Sequence, residues 1–145
     1  MSITYPPEML PTSEDGEVYV IQPRAEENKV IELFKHQKEV LDASINKANW
    51  ALFMEAGTGK TCVSIKTAES WFMNGEIDAV VVICPKSLIG TWAEIELPKH
   101  SEVAHKVYKW NPLKLDKHAF ISAIKDNTKL FYFIINHDAF VSDKL

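Results

Sequence analysis

Apolar positions along this chain change their rhythm several times, and each change marks an element. From residue 30 they fall at spacings of three and four, so that Val30, Leu33, Phe34, Val40, Leu41 and Ile45 share one face of a helix. Gln37 sits in the same stripe. A buried amide must be hydrogen-bonded, so Gln37 is either tied to backbone or reserved for a ligand. The run "WALFME" (50–55) predicts a short buried strand. It leads through a glycine-bearing loop into "KTCVSIKTAESWFMNG", a helix closed by Gly75. "IDAVVVIC" (77–84) is continuously apolar and β-branched, as expected of a parallel strand covered on both faces. "PKSLIGTWAEIEL" begins with Pro85 and Ser87, both suited to a helix start, and predicts a helix that ends before Pro98. "VAHKVYKW" predicts another strand, "PLKLDKHAFISAIKD" another helix, and "KLFYFIIN" (129–136) a third strong strand.

Strands alternating with helices imply an α/β lobe with a mainly parallel sheet flanked by helices. Residues 1–29 read differently. They carry Pro6, Pro7 and Pro11, then the acidic "TSEDGE", and only "EVYVIQ" (17–22) alternates, as a short strand at the edge of the domain would. The expected division is therefore an N-terminal extension over 1–29 and a lobe over 30–145.

Composition narrows the setting. With 145 residues the chain holds at most one domain with a single core. A net charge of −4 argues against a surface that is basic all over, while leaving room for a local basic patch. The N-terminus lacks the charged-then-apolar pattern of a secretory signal, and the apolar runs are too short to span a bilayer. Cys62 and Cys84 lack metal-ligand spacing and read as small core residues in a reducing, intracellular compartment. The five histidines lack ligand spacing too.

The chemistry concentrates in "FMEAGTGKTC" (53–62). Placed between a strand and a helix, Ala56, Gly57, Thr58 and Gly59 can turn backbone N–H groups toward phosphate oxygens, helped by the positive end of the helix. Gly57 and Gly59 let the backbone curl closely around such a ligand. Lys60 would reach the terminal phosphates, and the Thr61 hydroxyl would serve Mg²⁺. The strict pattern has a glycine five places before Gly59, and Met54 stands there.

"MEAGTGKT" resembles the first motif of superfamily-two helicases and translocases, especially their SWI/SNF-like branch, in which the motif runs D-E-x-G-x-G-K-T. Three other segments agree in order. "LFKHQ" (33–37) resembles the upstream L-x-x-x-Q element, "CPKSLIGTW" (84–92) the P-x-S-L motif followed by tryptophan, and "FIINHDAF" (133–140) a later strand ending in an asparagine-aromatic-acid turn. Lys35 stands where the first element often has proline.

The resemblance implies a P-loop, RecA-like lobe that binds ATP and Mg²⁺, with Gln37 reading adenine. It also implies that Lys86 and Ser87 touch a nucleic-acid backbone, DNA rather than RNA. Lys99, His100, His105, Lys106, Lys109, Lys114 and Lys117 could extend that basic surface, or form an ordinary solvated face. The family's aspartate-glutamate box, which holds Mg²⁺ and orients water, does not follow "FIIN" before Leu145; Asp138 is the nearest acid. The chain is therefore expected to be the opening part of a motor whose second lobe lies elsewhere, binding nucleotide without turning it over. Two other classes stay open at this point. A non-hydrolysing, nucleotide-dependent binding module fits the same residues. A small-molecule kinase would want glycine at Met54 and arginines in a lid, whereas Arg24 is the only arginine here.

Overall fold

The computed structural model describes residues 16–21, 32–111, 113–114 and 117–141. Its centre is a four-stranded sheet built from β1 (Val18–Ile21), β2 (Ala79–Cys84), β3 (His105–Lys109) and β4 (Leu130–Asn136), in the order β1-β3-β4-β2. β4 runs parallel to both β2 and β3, while β1 joins β3 antiparallel, pairing Val18 with Tyr108 and Ile21 with His105. Within the alternating run, Val18–Ile21 thus forms a strand of the same sheet.

One face of this sheet carries Val82, Cys84, Val107, Leu130, Tyr132 and Ile134 and receives Ile65 and Ala68 of α2 (Lys60–Met73), together with Ala93 and Leu97. Full burial of side chains this size stabilises by roughly 1.5–3 kcal/mol each, so this face anchors α2 and with it the loop that precedes it. The opposite face carries Tyr108 and Phe131, packed with Phe120 and Ala123 of α4 (Lys117–Lys125). Burial raises the pKa of both free thiols, Cys62 and Cys84, as suits core residues.

Four expectations are corrected. "WALFME" forms no strand, and Phe53 is 96% exposed. The carbonyls of Met54 and Glu55 instead turn inward to hold Lys60, which is incompatible with a sheet ladder there. β2 is covered on one face only: Val82 and Cys84 are buried, while Val81 and Ile83 are about half exposed (55% and 47%). It lies at the edge of the described sheet.

The helix predicted after Pro85 is continuous over 86–100 but changes type, from a 3-10 turn (Lys86–Leu88) through a π-helical stretch (Thr91–Glu96) to α3 (Leu97–His100), and so runs past Pro98. Pro98 lies in the first turn of α3 and does not stop it, because an N–H is not needed at that position. Finally, α1 (Lys35–Ser44) starts later than the periodicity suggests, with Phe34 as an extended N-cap; Val30 lies outside the described residues.

Candidate functional site

The phosphate-type loop sits at the N-terminus of α2. Gly59 caps that helix in the left-handed region (φ 89°), and Gly57 is left-handed as well (φ 78°), conformations that favour glycine. The first helical bond runs from Val63 N–H to Gly59 O, 3.1 Å. The N–H groups of Lys60, Thr61 and Cys62 therefore have no intrahelical acceptor, and the positive end of the helix adds to them. The result is a concentration of donors suited to an anion.

The Lys60 ammonium folds back over the loop and donates to the carbonyls of Met54 and Glu55, both at 2.9 Å. Thr58 Oγ1 donates to the same Glu55 carbonyl at 2.7 Å. Met54 contributes a carbonyl, and no non-glycine residue has a positive φ among the described residues, so a side chain at 54 strains nothing. This is the physical reason the strict glycine can be replaced. The Glu55 side chain is exposed to solvent.

Gln37 joins the loop from α1. Its Nε2 donates to Thr58 O at 3.1 Å, and its Oε1 accepts the Phe34 N–H at 3.0 Å. Only this half of a capping box exists, because phenylalanine has no oxygen to return the bond. His36 Nε2 lies 3.2 Å from the same Thr58 carbonyl; a carbonyl only accepts, so the imidazole carries its proton on Nε2 when that bond forms. The Phe34 ring is 70% exposed and stacks on His36 at 5.9 Å beside an open depression lined by Glu32, Leu33, Lys35 and Lys38.

The structure therefore brings Gln37, Thr58, Gly59 and Lys60 together by hydrogen bonds and packing. Ala56 and Gly57 lie exposed in the loop, and Thr61 opens the helix. Lys86 and Ser87 are exposed on the 3-10 turn after β2, with no hydrogen bond to the loop among the described residues. Asp138 is exposed in α5 (His137–Val141) and pairs with His137 at 2.9 Å.

The extended basic surface does not hold together. His105, Lys106 and Lys109 are buried in β3, the strand between β1 and β4, where both faces are covered. Lys106 donates to Ala123 O, Asp126 O and Asp126 Oδ2, closing the C-terminus of α4, and Lys109 bonds Glu94 at 2.8 Å. Hydrogen bonds from Thr128 and then Lys106 hold the Asp126 carboxyl well below the usual carboxylate range. Trp71, Phe72 and Trp92 are partly buried and Trp50 is exposed.

Sequence reading also missed a buried network on α2. Lys66 and Glu69 pair at 3.0 Å, and Glu69 Oε1 accepts Ser101 Oγ and the Glu102 N–H, both at 2.7 Å, tying the helix to the turn before β3. The signal was available: two charges three residues apart on the apolar side of "VSIKTAESW". Among the described residues no helix is long and apolar enough to cross a membrane, and no cluster of metal-ligating side chains is present.

No curated protein and no solved structure matches this chain. A family model does: the one described as type III restriction enzyme, res subunit, matches residues 30–144. The chain belongs to this family, an N-terminal domain family of superfamily-two helicases, whose members are parts of ATP-dependent helicase-type enzymes.

Proposed function

We propose that this member of the family is the ATP-binding part of a DNA translocase of the SWI/SNF-like branch, working inside the cell. The observation that carries the reading is the Lys60 ammonium held by the carbonyls of Met54 and Glu55 at the N-terminus of a 14-residue helix. A flexible cation, left-handed glycines and unpaired helix-start amides converge there, and that donor set fits a triphosphate.

Ala56, Gly57, Thr58 and Gly59 would offer N–H groups to phosphate oxygens, and Lys60 would contact the terminal phosphates. The Thr61 hydroxyl would hold Mg²⁺. Held there, Mg²⁺ would supply positive charge that offsets the charge of the phosphates. Lys86 and Ser87, exposed on the turn after β2, would hold backbone phosphates of the nucleic acid.

In this 145-residue chain Asp138 is the acid at the end of β4, exposed and paired with His137, and no second acid accompanies it in α5. Binding of nucleotide without steady turnover is therefore the activity proposed for this chain. Calorimetric titration with Mg-ATP tests this, alongside Lys60→Ala. Binding that the substitution removes is the expected result. Steady ATPase activity lost on Lys60→Ala would contradict the non-hydrolysing part, and no binding by the native chain would contradict the whole reading.

A further inference from the structure

We infer that this chain pairs with a second copy of itself along the outer edge of β2, in an antiparallel strand pair centred on Val81. The inference goes beyond the nucleotide-binding reading and does not depend on it.

The course of the main chain along β2 fixes which groups are on offer. Phe131 N–H donates to Asp78 O at 3.1 Å, and the parallel register sets Ala79 beside Phe131 and Cys84 beside Asn136. Successive residues of a strand turn their main-chain groups to opposite sides, so those of Val80, Val82 and Cys84 face β4. Ala79, Val81 and Ile83 turn theirs to the outer edge, where no strand of the described residues lies. The side chains of the same three residues are exposed, Val81 and Ile83 among the large apolar ones. Free edges are ordinarily guarded by a charge, a proline or a bulge. "AVVVIC" carries neither charge nor proline, and it pairs with β4 residue for residue, without a bulge.

That edge selects a partner strand that is extended, apolar and uncharged, and a second β2 has those properties. A two-fold axis through the pair closes the assembly at a dimer, because each copy uses the same edge. One register engages every outward residue. It sets Val81 opposite Val81 of the second copy, and Ala79 of each copy opposite Ile83 of the other, with each pair exchanging both of its hydrogen bonds. Opposite residues then share a face, so the exposed apolar side chains cover one another. A register two residues further on would set Ala79 against Pro85, which has no N–H to give. In the favoured register Glu76 of each copy falls across from Lys86 of the other, both exposed, so opposite charges flank the pair at each end. A single strand pair is a small interface, so the association is weak and depends on concentration.

Sedimentation velocity of the 145-residue chain from about 5 μM to about 500 μM tests this. The native chain should pass from monomer to dimer over that range and go no further. Val81→Lys sets like charges against each other at the centre and should weaken association by roughly fivefold or more, as should Val81→Glu. An equimolar mixture of the two variants should associate again, since lysine then meets glutamate across the axis. Amide exchange at Ala79, Val81 and Ile83 should slow as the native chain is concentrated, while Val80 and Val82, already facing β4, should not change. A native chain that stays monomeric throughout would overturn the proposal, and so would a dimer that Val81→Lys leaves intact. A mixture no stronger than its components would overturn it too, because residue 81 would then not face itself. Should urea melts show that Val81→Lys does not fold, Ala79→Lys mixed with Ile83→Glu is judged by the same outcomes.

Discussion

The ammonium of Lys60 lies 2.9 Å from the carbonyl oxygen of Met54, the residue that occupies a glycine position in the strict loop pattern. Only the main chain of Met54 takes part in this bond, and its φ is negative. Met54→Gly is therefore expected to leave Mg-ATP affinity within about twofold. It should lower stability by roughly 0.4–1 kcal/mol through the greater freedom of the unfolded chain. Paired calorimetry and urea denaturation measure both effects. A large gain in affinity would mean that the side chain obstructs the ligand.

The two loop glycines should respond differently to alanine. At Gly57 the added methyl meets open space, so Gly57→Ala carries only the left-handed backbone cost of about 1–2 kcal/mol. At Gly59 the same cost is joined by overlap with the Gln37 amide. Gly59→Ala should be the more destabilising of the pair in denaturant melts, and Gln37→Ala should remove the excess. Equal losses in both backgrounds would show that the overlap is relieved elsewhere.

Lys106 looks like a nucleic-acid contact in the sequence and is a helix cap in the fold. Its buried ammonium serves Ala123 O and the main chain and carboxylate of Asp126. Lys106→Met strips those acceptors of a donor and should cost about 1–3 kcal/mol, read as a lower urea midpoint. DNA affinity at low salt should stay as in the native chain. A stable variant with weakened DNA binding would return Lys106 to the surface patch.

Acid should destabilise the fold through buried histidine. Burial pushes the pKa of His105 below the ordinary value of 6.5, while the bond to Val103 O and the charge of Glu69 oppose that shift. His100 is lowered for the same first reason, with Glu96 opposing. Below pH 6.5 the unfolded chain takes up protons that the folded chain refuses, so stability falls as pH falls toward the depressed folded values. Each group contributes a slope of at most about 1.4 kcal/mol per pH unit. His105→Gln should flatten the stability curve between pH 6.5 and 5, as followed by denaturant melts. An unchanged slope would show that His105 is protonated in the fold.

The loop, α2 and β4 were legible because their signals are local: glycines where the backbone turns left-handed, and apolar runs of strand length. The edge position of β2 was not, since a continuous apolar run looks the same with one face covered or two. Nor was the burial of Lys106 and Lys109, because lysine in a strand reads as exposed unless its acceptors, fifteen or more residues away, are known. Gln37 stood out as polar in an apolar stripe, but both of its possible roles fitted that pattern equally.

The sequence by itself determined where the glycine-bearing loop enters its helix and, apart from the strand expected over 50–55, in what order strands and helices follow. Those properties depend on side-chain chemistry and on neighbours a few residues apart. Tertiary structure alone decided the strand order β1-β3-β4-β2, the closure of Lys60 onto Met54 and Glu55, and the tie from Gln37 to Thr58. The first and the last join segments far apart in the chain. The second depends on the curvature of the loop. Partners of this kind are chosen by which surfaces meet when the core closes, and no local pattern encodes that meeting.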